Sequence, residues 1–329
     1  MSHPTITVIV PTYNRKEMLK TSLDSLLAQE TNGQFTYEIA VVDDLSDDGT
    51  KEFILEMENM TSGKIRYVKG RGAGYTVALN TGYAAAKGDW IAFFDDDQLA
   101  CSIWLQELLR TGINENAEVT GGPITLDIPE EVYVGMGPVY RDMCGVTHDI
   151  IFPGKCSKKQ PMIAGGNRLV KRIVFDTIGT FDENMLIGGC DRDFLLRAMS
   201  EGFKTGWATK ASIRHIIPVD RLSPGRVKWY SAQWGCSFAY IDWKRWGAFK
   251  TGVACIARIG QALFVHLPLY IYYLLKGDER LKRDRHALLH RALGFTRQYL
   301  HLLAPRLFSQ EKFFSRVEFR RQHEKGVEK

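Results

Sequence analysis

Residues 91–98 read IAFFDDDQ. Four apolar side chains run without interruption into three carboxylates, Asp95, Asp96 and Asp97. A short continuous apolar run fits a strand buried on both faces, the kind found in parallel sheets covered by helices. Adjacent like charges repel and gain nothing from burial. Either the acidic triplet is a solvated turn, or something cationic joins it.

Working outward, the same pattern repeats. TITVIV (5–10) is a β-branched run expected to stop as a strand at Pro11. RKEMLKTSLDSLLAQ (15–29) has apolar residues at helical spacing. YEIAVVDD (37–44) is a second apolar run that also ends in acid, at Asp43 and Asp44. SDDGTKEFILEMEN (46–59) opens a helix, and KIRYVKG (64–70) reads as a third strand. GYTVALNTGYAAAKG (74–88) reads as a helix with Gly88 as its C-cap. Strand–helix alternation predicts an α/β fold with a mostly parallel central sheet, and such sheets hold ligands beyond the carboxyl ends of their strands. Asp43, Asp44 and Asp95 to Asp97 all fall on that rim. Hard divalent cations such as Mg²⁺ or Mn²⁺ typically take one or two carboxylates and complete their shell with substrate phosphates.

The second half is less regular. Residues 120–165 read as loop and short strands, either an acceptor-side flap or a surface insertion. CDRDFLLRAMSEG (190–202) reads as a helix with Asp191 and Asp193 in its first turn. Asp191 is either a helix cap favoured by the dipole or a functional carboxylate. His215 lies on an apolar strand, TGWATKASIRHIIP (205–218), where histidine is commonly structural.

Taken in order, VIVPTYNR, VVDDLSDDGT, NTGYAAAKGDWIAFFDDD, GTFDE…GGCDRDFLLR and RH resemble the family 2 glycosyltransferases, whose fold is called GT-A. The resemblance covers roughly residues 5–240. It implies inverting transfer of a sugar from a nucleotide-diphosphate sugar to a hydroxyl, with Mg²⁺ or Mn²⁺. It assigns Pro11, Thr12, Tyr13, Asn14 and Arg15 to the nucleotide pocket, together with Asp43, Asp44, Asp95 and Asp96. It gives Asp95 and Asp97 to the metal as a D-x-D motif, His215 to the metal and diphosphate, and Asp191 the role of general base. Residues 1–240 would form the transferase domain, with 1–120 the nucleotide-sugar half and 121–240 the acceptor and base half. Residues 241–329 would be a helical, basic tail.

Two departures stand out. Cys190 occupies the place where the family usually has Glu before the Asp, which leaves Asp193 as a reserve base. The Q-x-x-R-W motif of processive synthases is absent from residues 216–246, so single-sugar transfer is expected. Two rival readings are a sugar nucleotidyltransferase and a non-catalytic nucleotide-sugar or lipid-binding protein. A nucleotidyltransferase usually carries a glycine-rich loop after its first strand, where this chain has PTYNR.

The net charge of +5 is uneven. From Lys276 onward there are 14 Lys/Arg and 7 Asp/Glu, so the rest carries a net −2. An acidic body with a basic tail points to an anionic partner. The mixed charges and lack of a recognised motif make nucleic acid a poor candidate. VACIARIGQALFVHLPLYIYYLL (253–275) is long enough to span a bilayer, but Arg258, Gln261 and His266 fall in one arc opposite an apolar face, and Pro268 adds a break. That pattern suits a helix lying in the membrane interface, with a soluble core helix and a true span as alternatives. No secretory signal is visible, and the six cysteines have neither zinc-site nor disulfide spacing. The expected location is the cytoplasm, at the inner face of the membrane, with a saccharide or lipid-linked acceptor for cell-envelope glycan synthesis.

Overall fold

The computed structural model describes residues 3–147, 162–185 and 188–308. The expected flap over 120–165 is therefore described only in part, and the chain beyond 308 lies outside the described residues. Two compact units emerge. One comprises Met1–Asp127, Gly145–Glu183 and Cys190–Ile216, and the other Ile128–Cys144, Asn184–Gly189 and Ile217–Lys329.

The first unit is a mixed α/β body. Its strands are β1 (Thr5–Thr12), β2 (Thr36–Asp43), β3 (Ile65–Lys69), β4 (Trp90–Phe93), β5 (Gln98–Ala100), β6 (Val119–Gly121), β7 (Ile124–Asp127), β8 (Arg168–Lys171), β9 (Thr205–Trp207) and β10 (Ile213–Ile216). Seven of them form one sheet in the order β3-β2-β1-β4-β8-β6-β9, and β5-β10-β7 form a second. The first four strands pair in parallel, as the alternation predicts, while β8 is antiparallel to both β4 and β6. Helices α1 (Lys16–Leu27), α2 (Thr50–Met60), α3 (Tyr75–Ala85) and α4 (Trp104–Asn114) accompany the strands. The core joins Val8, Val10, Ile39, Val41 and Ala92 of the sheet to Leu19, Leu23 and Leu26 of α1 and Trp104, Leu105 and Leu108 of α4. Burial of β4 throughout, of β1 beyond Thr5 and of β2 from Ile39 onward explains why these runs are continuously apolar rather than alternating.

Two details differ from expectation. β1 does not stop at Pro11 but pairs through it, Pro11 lying opposite Val42. Ile9 O accepts from Phe94 N and Thr12 O accepts from Asp44 N, so Pro11 faces the β4 side, where β4 has already ended at Phe93. No ladder donor is missing there, which is where a strand tolerates proline. Helix α3 ends at Ala85, short of Gly88. Gly88 serves close approach instead: a Cβ there would stand 2.5 Å from Thr7 N.

Two further helices of this unit are α7 (Arg172–Ile178) and α8 (Cys190–Ser200), the latter beginning at the expected acidic turn. The second unit contains α5 (Glu130–Val134), α6 (Pro138–Met143), α9 (Pro224–Gln261), which kinks at Gly247 (φ 74°), α10 (Leu267–Lys276) and α11 (Glu279–Leu303). Residues 138–143, expected as loop and short strands, are helical instead. Pro138 fits the first turn of a helix, and Asp284 of α11 accepts from Val139 N and Tyr140 N at 3.1 Å each. The partner that caps α6 is 145 residues away, invisible to a local reading. Pro268 does not break the chain's helical path. A π-helical segment, Ala262–His266, leads directly into α10, a local widening that re-routes backbone bonding near a proline.

Candidate active site

The carboxyl-end rim of the parallel strands gathers the acidic residues as expected. Asp43 closes β2 and Asp44 follows it, while Asp95, Asp96 and Asp97 follow β4. Arg15, at the N-terminus of α1, places Nη1 2.8 Å from Asp96 Oδ1 and 3.0 Å from Asp97 Oδ2. Thr12 Oγ1 donates to Asp96 Oδ2 at 2.7 Å, and Ser22 Oγ donates to the Asp96 carbonyl at 2.7 Å. Asp96 is thus held from both β1 and α1.

His215 arrives through register. In β10 it lies opposite Gln98 of the antiparallel β5, beside Asp97. Ile216 N donates to the Asp97 carbonyl at 2.8 Å, and His215 Nε2 stands 3.3 Å from Asp97 Oδ1. The late histidine and the triplet therefore share one site.

Asp95 is held differently. Tyr75 donates its hydroxyl to Oδ1 at 2.8 Å, and Gln98 Nε2 donates to Oδ2 at 3.2 Å. Asp95 N in turn donates to Gln98 Oε1 at 3.1 Å. Electrostatics separate the three carboxyls. Burial and the charge of Asp97 push Asp95 up to about 7. Burial also raises Asp96, against the pull of Arg15. Burial acts the same way on Asp97, but His215 and Arg15 outweigh it and hold that carboxyl below the usual range. Three carboxyls share Arg15 and, when it is protonated, His215, and the crowding is felt most at Asp95, which holds its proton most tightly.

The other rim acids are engaged with backbone. Asp44 accepts from Gly72 N, Ala73 N and Gly74 N at 2.7, 3.2 and 2.8 Å, which fastens the loop before α3. Asp43 accepts from Ser46 N at 2.9 Å and Tyr67 OH at 3.4 Å. Asn14, at φ 50°, donates its N–H to Ser46 Oγ and accepts from Asp47 N. Half-buried Tyr13 belongs to the same turn, so residues 11–15 and 43–47 are stitched together.

Asp191 lies in the first turn of α8, beside Gly165, where a Cβ would stand 3.5 Å from Asp191 Oδ2. The reserve residue Asp193 is buried and its Oδ2 lies 2.8 Å from Arg197 Nε, a structural pairing. Cys190 is buried, and its surroundings push the thiol up to about 12.

Sequence reading missed four residues here. Tyr75 and Gln98 hold Asp95. Asn167, fully buried, accepts from Trp104 Nε1 at 2.8 Å and donates to the carbonyls of Pro123 and Ala211, which anchors the 165–168 segment. Arg168, also fully buried, donates Nη1 to the Asp191 carbonyl at 3.2 Å and lies 5.5–5.6 Å from the ring centroids of Phe93, Phe181 and Phe194. The adjacency of Gln98 to the triplet was the only local signal.

Among the described residues, no three His, Cys, Asp or Glu side chains converge tightly enough to hold a metal ion by themselves. The donor chemistry still suits one. Two carboxylates and an imidazole are acceptable to Mn²⁺ or Mg²⁺ when phosphate oxygens supply the remainder, and a dication would relieve the repulsion that makes Asp95 hold its proton.

Residues 7–179 match the family described as glycosyl transferase family 2. The chain belongs to glycosyl transferase family 2. The glycosyltransferase is 25% identical over 205 residues to glycosyltransferase AglE of Haloferax volcanii, covering 62% of this chain and 64% of that one. It is 29% identical over 132 residues to a chondroitin synthase of Escherichia coli, covering 39% of this chain and 19% of that protein. The match thus spans less than two thirds of either relative. Among solved structures, a mannosyltransferase of Pyrobaculum calidifontis in complex with GDP-Man and Mn²⁺ superposes with a TM-score of 0.59 at 16% identity, covering 89% of this chain and 87% of that one. GalNAc-T7 with UDP, GalNAc and Mn²⁺ gives a TM-score of 0.52 at 18% identity, over 65% and 43% of the two chains. The fold is GT-A.

Proposed function

We propose that this glycosyltransferase moves one sugar, with inversion, from a nucleotide-diphosphate sugar to a hydroxyl of a saccharide or lipid-linked saccharide acceptor, in cell-envelope glycan synthesis at the cytoplasmic face of an anionic membrane. The observation that carries this reading is the convergence of three carboxyls and an imidazole at one strand end. Asp95, Asp96 and Asp97 follow β4, with Arg15 against Asp96 and Asp97 and His215 against Asp97. A divalent cation held by Asp95, Asp97 and His215 would offset the charge of the departing diphosphate. The solved GT-A neighbours, crystallised with Mn²⁺, support this coarse point.

The chain's own residues then have assigned tasks. The turn at Pro11 to Arg15 and the acids Asp43 and Asp44 shape the nucleotide pocket. The acceptor oxygen forms a bond to the anomeric carbon as the bond from that carbon to the diphosphate breaks. The acceptor proton passes to the Asp191 carboxylate, a step typically worth on the order of 10² to 10⁴-fold. The pairing of Asp193 with Arg197 supports Asp191 over the reserve residue.

Thermal melts of the purified protein against UDP, GDP, CDP and dTDP, with and without Mn²⁺, test the site. One diphosphate should raise the melting temperature only with metal, and Asp97→Ala should abolish the shift. Asp191→Asn should keep that shift and lose turnover. If Asp97→Ala shifts as the wild type does, the triplet is not the site. If Asp191→Asn turns over normally, Asp191 is not the base.

A further inference from the structure

The helix expected to lie at a membrane with its polar arc toward water has that arc turned the other way. Arg258 stacks over the Phe295 ring of α11 at 4.4 Å and stands 3.6 Å from Asp242. His266 is buried, as are Thr251, Cys255 and Ala262 on the same seam, and Cys255 packs with Ala239 and Phe295. Gln261 alone of the three polar residues is exposed. The apolar side chains face outward: Phe249 is 82% exposed, Ile256 72%, Phe264 81% and Leu275 82%, with Val253 and Ile271 between them. A soluble protein buries such a stripe and wets the polar one. Contiguous exposed apolar surface on this scale marks an interaction site.

We propose that residues 246–275 form a face that lies in an anionic lipid bilayer, with its cations at the two ends in the headgroup layer. This deepens the membrane part of the function proposed above and rests on it, not on the catalytic assignment. Charge decides among the occupants. From Trp243 to Gly277 the sequence has no Asp or Glu. Exposed Lys244, Arg245 and Lys250 stand at one end and Lys276 at the other. Aromatic rings accompany them: Arg245 lies 5.7 Å from the Trp246 centroid and Lys276 5.0 Å from that of Tyr272. Basic residues and amphipathic aromatic rings suit the lipid interface. A second copy meeting the same face about a two-fold axis would set cations against cations, with no carboxylate to relieve them. A span is disfavoured although Pro224–Lys276 is long and apolar enough by length and composition. A span would draw α11, which packs along this helix and carries Arg280, Lys282, Arg283, Asp284, Arg285 and Arg291, into hydrocarbon, where charged side chains are costly.

The test is flotation of the full chain with vesicles of phosphatidylcholine alone and of phosphatidylcholine mixed with phosphatidylglycerol. The wild type should float with the anionic vesicles, more weakly in high salt, and alkaline carbonate should release it. The quadruple variant Phe249→Ser, Ile256→Ser, Phe264→Ser, Leu275→Ser should lose at least tenfold in partitioning while keeping the wild-type melting temperature and metal-dependent diphosphate shift. Those surface positions support no packing, so folding should survive. Unchanged flotation of the quadruple variant overturns the proposal. So does a wild type that ignores vesicles but elutes as a dimer which the variant dissociates. Retention through carbonate would mean a span instead. Loss of the diphosphate shift in the wild type, with flotation intact, would count against the catalytic reading alone.

Discussion

A Cβ on Gly166 would stand 2.3 Å from Asp95 Oδ2 and 2.4 Å from Gln98 Nε2, so the bare glycine is what lets Asp95 and its amide partner occupy their places. Gly166→Ala must displace one of them. A side chain misplaced by about 1 Å can cost on the order of 10²-fold in rate, and overpacking costs about 1–3 kcal/mol of stability. Turnover in Gly166→Ala should fall by about that factor, with a lowered melting temperature. Wild-type turnover would show that Asp95 is not needed where it stands.

Arg168 poses a trade between stability and activity. Burial lowers the proton affinity of this guanidinium, against the charge of Asp191, and its Nε and Nη2 have no hydrogen-bond partner among the described residues. An unsatisfied buried donor costs about 1–3 kcal/mol, a cost an apolar side chain of similar volume does not incur. Arg168→Met should keep or raise the melting temperature. It should also lower kcat with little change in donor KM, because the bond to the Asp191 carbonyl is lost. A variant that melts lower and keeps kcat would refute the positioning role.

Asp284 ties α11 to the start of α6. Burial holds its carboxyl above the usual range, although two backbone donors pull it down. A carboxyl raised in the folded state binds its proton more tightly there than in the unfolded chain. Its stabilising contribution is therefore full below the ordinary carboxylate range and is lost as pH rises through the elevated value. Denaturant melts across pH should show Asp284→Asn with a flatter decline than wild type over that interval. Asp284→Ala, which leaves Val139 N and Tyr140 N unsatisfied, should cost about 1–3 kcal/mol.

The Cys190 thiol is buried and pushed up to about 12, and Cys236 matches it in both respects. Thiolate is the reactive form. Brief alkylation at pH 8 followed by peptide mapping should leave both unmodified in the native protein, label partly exposed Cys101 first, and label all three after unfolding. Native modification of Cys190 would mean that the α8 turn opens.

The alternation of buried strands and helices, the acid at the strand ends and the resemblance to the family are legible in the chain alone. Each is written within one short window: IAFFDDDQ carries both its burial and its charge in eight residues. Helix and strand periods are local properties, so a local reading finds them. What partners the acids was decided only by tertiary structure. His215 reaches Asp97 because β10 pairs with β5 in one register, and Asp95 is held by Tyr75 from α3. Arg168 reaches Asp191 across 23 residues, and Asp284 reaches α6 across 145. The outward turn of the 246–275 stripe belongs to the same class. A helical wheel shows that polar and apolar arcs exist, but only the packing of α11 decides which arc is covered, since burial depends on what arrives from elsewhere in the chain.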